Sequence, residues 1–85
     1  CHRMAVAAHD GMARAIVPAH TPMDGDLVFA AAIGGRPLEA PDLQMAWIGH
    51  AASLCLCRAI ARAVWEATPA PGDLLPTLRE DPDHA

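Results

Sequence analysis

Asp24 and Asp26 stand one glycine apart, directly before an apolar run, Leu27-Val28-Phe29-Ala30-Ala31-Ala32-Ile33. In an extended segment, residues two apart point to the same side. Two carboxylates held this way aim negative charge at one point. Such charge orients a nucleophile or balances a neighbouring cation. Spacing alone favours an exposed Asp-Gly turn before a strand. The flanking elements decide between the two.

Five histidines and three cysteines are the other side chains with chemistry to offer. His2 and His9 are seven apart on an expected helix, about 10 Å along its axis. That is too far to share a metal ion, so both read as surface or interface residues. His20, between Ala19 and Thr21-Pro22, reads as a loop anchor. His50 reads as an interior histidine of an apolar helix, and His84 lies in the tail. Cys55 and Cys57 are two apart on a helix and diverge, so neither a disulfide framework nor a zinc site is expected. Free, buried thiols in a reducing, cytoplasmic compartment are the simplest reading. Cys1 could be a thiol nucleophile with its own amine as base, but it opens a helix rather than a strand. Trp47 and Trp65 read as interface anchors. No metal or organic cofactor is implied.

The elements that position these residues alternate. Residues 1–17 read as an amphipathic helix, with Cys1, Ala5, Ala8, Met12, Ala15 and Ile16 on one face. Arg3, Asp10 and Arg14 fall on the other. Gly11, mid-helix at a cost of about 1 kcal/mol relative to alanine, marks a spot where another backbone comes close. Pro18 ends this helix. Residues 27–33 read as a strand apolar on both faces, hence covered on both sides. A loop with Gly34, Gly35, Pro37 and Pro41 leads to a long helix over 42–67, apolar nearly all round and so buried on several sides. Residues 68–85 form a proline-rich tail that packs through Leu74, Leu75 and Leu78, with a disordered end.

Composition excludes several partners. The formal charge is −4, with six arginines, no lysine and ten acidic residues. Scattered arginines do not make a phosphate-binding surface, so nucleic acid is excluded, and an anionic membrane with it. The uncharged stretch between Asp42 and Arg58 is shorter than the ~20 apolar residues that span a bilayer. The chain is 53% hydrophobic but only 4% aromatic. One strand cannot build a sheet, and a helix of some 40 Å outruns a compact body of this size. A companion polypeptide is therefore expected. Cys1-His2-Arg3-Met4 reads like the inside of a helix, so residues are expected upstream.

The blocks Ala8-His9-Asp10-Gly11-Met12-Ala13-Arg14-Ala15-Ile16, His20-Thr21-Pro22 and Asp24-Gly25-Asp26-Leu27-Val28-Phe29-Ala30 together resemble the P1-family peptidases, the DmpA-type aminopeptidases of family S58. The nylon-oligomer (6-aminohexanoate oligomer) hydrolase branch is the most similar. The resemblance covers about residues 1–67. It implies a precursor that cuts itself into a large and a small chain. The new N-terminal Thr or Ser of the small chain is the nucleophile, upstream of Cys1 here. It also implies an α/β (α+β layered) fold. The present residues 1–85 would be the C-terminal part of the small chain: a helix–strand–helix piece of a four-layer αββα sandwich, resembling N-terminal-nucleophile hydrolases. The partners implied are the large chain, further copies of the two-chain unit and a small linear amide substrate. Asp24 and Asp26 would orient the nucleophile and balance charge near it. Two departures stand out: Leu27 and Ile33 occupy places where relatives carry threonine. The rival expectation is a non-catalytic subunit that completes a partner's sheet.

Overall fold

The computed structural model describes residues 1–81. The expectations for the last residues of the tail, His84 among them, lie outside the described residues. Two helices make up the regular structure: α1, His2–Ala15, and α2, Pro41–Glu66. Each forms where local chemistry favours it. Arg14 sits in the last turn of α1, where a cation meets the negative end of the helix dipole. Pro41 opens α2 at a position that needs no amide hydrogen, and Asp42 lies in the first turn. Gln44 Oε1 accepts from the Ala40 amide at 3.0 Å, tying off one of the free donors at that end.

The helices meet through small residues. A Cβ on Gly11 would lie 2.9 Å from the carbonyl carbon of Ser53, and closer still to its oxygen. A Cβ on Gly49 would lie 3.0 Å from the Cβ of Ala7. The expected close approach at Gly11 is thus present, and the approaching backbone belongs to α2. From Ala7 to Gly11 and from Gly49 to Ser53, both helices advance four residues in the same sense. The two helices therefore run in the same direction, and the 16–40 connector must return along their length. Ala15 is level with about residue 57, so the last nine residues of α2 extend roughly 13 Å beyond α1.

The core is correspondingly small. Ala8, Met12 and Ser53 are buried, with Gly11 and Gly49 between them. Full burial of a Met side chain contributes about 1.5–3 kcal/mol, and an alanine much less. The molecule measures 50 × 28 × 24 Å, with a radius of gyration of 16.5 Å. A compact domain of this length would have about 12 Å.

The helix–strand–helix piece of a four-layer αββα sandwich, and with it the α/β class, is not what the chain forms. Among the described residues there is no strand. Residues 27–33 are irregular, with Phe29 89% and Ile33 100% exposed; only Val28 and Ala30 are half-buried. A strand exists by its ladder of hydrogen bonds to a neighbour. Apolar content and β-branching supply no neighbour, so the segment stays irregular. The expectation of a helix buried on several sides also fails. Leu43, Trp47, Val64 and Trp65 are all exposed. The tail differs in part: Leu74 and Leu75 are exposed, Leu78 is half-buried, and the Arg79 guanidinium lies 5.6 Å from the centroid of the Trp65 ring on α2.

The tight crossing makes unequal demands on its two glycines. Gly11→Ala should lower stability by about 2 kcal/mol or more, despite alanine's better helix propensity, because a backbone carbonyl cannot swing aside. Gly49→Ala should cost distinctly less, since only a methyl group opposes it. Denaturant midpoints of the complete protein check this order; equal midpoints would contradict the crossing.

Candidate functional site

The acidic pair lies in the connector, and the way the connector leaves α1 determines where. The helix ends at Ala15, and Ile16 takes an extended conformation with φ −122° and ψ 124°. Four residues on, His20 adopts φ 58°, the left-handed region. The chain then enters a tight turn over Thr21–Asp24. The Asp24 amide donates to the Thr21 carbonyl at 3.0 Å, and the Thr21 amide donates to Asp24 Oδ2 at 3.0 Å. The Met23 amide reaches Thr21 Oγ1 at 3.4 Å.

The two carboxylates are therefore not equivalent. Asp24 is folded back into its own turn as an acceptor for a backbone amide. Asp26 is exposed and makes no hydrogen bond or ion pair among the described residues. Gly25 has open space around it, so nothing here demands its lack of a side chain. The pair as expected thus divides into one carboxylate that shapes the connector and one that projects free charge.

The structure brings together two histidines that spacing had kept apart. His9 Nδ1 and His20 Nε2 are 3.3 Å apart, with ring centroids at 5.3 Å. His2, seven residues from His9 on the same helix, takes no part. Beyond the bends at residues 16–18, His20 lies alongside α1. His50 is exposed rather than interior, with its ring edge-on to Trp47 at 6.0 Å. The three thiols are free, as expected, but not buried: Cys1 and Cys55 are exposed and Cys57 half-buried.

A second feature is a groove of about 770 Å³ along the seam of α1 and α2. Arg3, Asp10 and Arg14 line it from α1; Asp42, His50 and Ser53 line it from α2. Ser53 and His50, one turn apart, are the residue types of a nucleophile and base. No hydrogen bond joins them, and Ser53 is buried against Gly11. The groove contains none of the connector's acids. Among the described residues no group of three or more side chains could hold a metal ion, and no helix is long and apolar enough to cross a membrane.

The sequence pattern of peptidase family S58 matches residues 1–74. The chain belongs to that family of peptidases. It is similar to uncharacterized aminopeptidases of Mycobacterium tuberculosis and Mycobacterium bovis, at 48% identity over 90 aligned positions, covering 94% of this chain and 26% of each relative. An uncharacterized aminopeptidase of Mycobacterium leprae is 46% identical over 77 positions, covering 79% of this chain and 21% of its own length. The chain thus spans about a quarter of the length of these curated relatives. No solved structure matches it.

The division of labour between the acids is directly measurable. Asp24→Ala removes the acceptor of the Thr21 amide, a bond of about 1 kcal/mol, so that amide should exchange with deuterium about fivefold faster. Asp26→Ala should leave its exchange unchanged. The reverse pattern would show that the turn is built differently.

Proposed function

We propose that this chain forms part of an amide-bond hydrolase, an aminopeptidase or amidase, whose acidic connector borders the reaction centre. The match of the family pattern over residues 1–74 carries the reading. The relatives' name, aminopeptidase, supports the same bond class.

The mechanism we infer is acyl transfer from an N-terminal Thr or Ser hydroxyl, supplied by residues upstream of Cys1. The hydroxyl oxygen attacks the amide carbonyl carbon while its proton passes to the nucleophile's own α-amine. The tetrahedral oxyanion collapses, the C–N bond breaks, and the leaving nitrogen takes that proton. Water then attacks the acyl-enzyme by the same route and regenerates the hydroxyl. Asp26, with no partner of its own, supplies the negative charge that steadies the ammonium form of the amine or of a neighbouring lysine. Asp24 acts by shaping the turn that presents it. Both roles stay within reach of short linear substrates, such as 6-aminohexanoate oligomers or small peptides.

Asp24 and Asp26 would also orient the same hydroxyl for self-cleavage of a precursor into a large and a small chain: the oxygen attacks the preceding peptide carbonyl, the C–N bond breaks to free the α-amine, and water hydrolyses the resulting ester. The exposed Leu43, Trp47, Phe29, Ile33 and Trp65 side chains favour further polypeptide against this one. Each such side chain, once covered, would contribute about 1.5–3 kcal/mol. We assign that cover to the large chain, with further copies of the two-chain unit around it.

Intact mass and N-terminal sequencing of the complete protein should show two chains, the smaller beginning with Thr or Ser. Asp26→Asn should slow self-cleavage or amide hydrolysis on the order of 100-fold, the scale of a misplaced reacting group. A single uncut chain without amide hydrolysis would favour the non-catalytic alternative. Wild-type rates in Asp26→Asn would remove that residue from the site.

A further inference from the structure

We propose that His9 and His20 act together as positioning residues for the acidic connector, an inference that rests on the hydrolase reading above. Neither side chain touches the reacting atoms in this account. Their task is to fix where along α1 the Asp24–Asp26 segment stands.

An unbroken chain of contacts links the α1–α2 crossing to the acidic segment. Gly11 lies hard against the Ser53 backbone, which fixes the height of α1 relative to α2. His9, two residues before Gly11, is half-buried on that same helix. Its Nδ1 meets His20 Nε2 at 3.3 Å, one ring nitrogen donating and the other accepting. The next residue, Thr21, begins the turn that Asp24 closes, and Asp26 follows two residues later. Among the described residues, no other side-chain hydrogen bond joins the 16–40 connector to α1.

The backbone at His20 gives an independent reason. A non-glycine residue at φ 58° costs of order 1 kcal/mol, and such a residue persists only where its surroundings hold it. The backbone there would favour glycine. Histidine enters this region more readily than most side chains, and here its ring also meets His9.

This separation of backbone from side chain provides the test. In the complete protein, His20→Gly should keep or raise the unfolding midpoint, because glycine adopts the conformation freely. It should also lower kcat on an amino-acid anilide on the order of 10- to 100-fold, with KM within about twofold. His20→Asn, which tolerates the left-handed region and keeps a hydrogen-bonding group, should recover most of the rate. His9→Ala should lose as much as His20→Gly, and the double variant no more than either single one, since both remove the same contact. Wild-type kcat in His20→Gly, or losses that multiply in the double variant, would overturn the inference. Asp26→Asn in the same assay separates the two levels. If it is disabled while the histidine variants run normally, only this inference falls; if it too is normal, the hydrolase site falls with it.

Discussion

The contact between Gly11 and the Ser53 backbone is the constraint from which the rest follows. A helix can come this close to another only where a Cβ is missing, and the contact sets the register of α1 on α2. Because Ala7 meets Gly49 one turn earlier, the register also fixes the direction: both helices run the same way. A parallel pair forces the intervening residues to travel back along it. The connector that carries the two acids is thus a consequence of the crossing, and His9 sits at the height where the connector passes.

The balance of burial explains the form of the molecule. Alanine and glycine allow close approach but bury little surface, so a seam of small residues is tight without contributing much apolar burial. The larger apolar residues point elsewhere, on the outer faces of α2 and in the connector. The result is tight packing at one seam with exposed apolar surface around it.

Much of this was legible in the sequence. Apolar spacing marked both helices, proline and glycine marked the connector, and Gly11 announced a close approach before any neighbour was known. The irregular state of residues 27–33 was not legible, because they carry the composition of a buried strand but no information about what would pair with them. The faces of α2 misled for a related reason: apolar character says that a surface wants cover, not that cover is present. At the site, the Asp-Gly-Asp spacing treated the acids as a pair, whereas Asp24 is engaged in its own turn and Asp26 is not. A signal for their difference did exist. A backbone amide bonded to a carboxylate three residues later occurs at Thr21 with Asp24, Ala70 with Asp73 and Thr77 with Glu80. That spacing of three resembles the reciprocal capping arrangement at helix starts, and it marks Asp24 as already engaged. The meeting of His9 with His20 depends on the angle at which the chain reverses, which no periodicity records.

We propose that these helices bury too little among themselves to stand alone. Urea unfolding of the isolated 85-residue segment tests it most directly, since the slope of stability against denaturant scales with the surface exposed on unfolding. A shallow change without a cooperative transition is expected. A sharp two-state transition, extrapolating to the 5 kcal/mol or more of an ordinary domain, would contradict it.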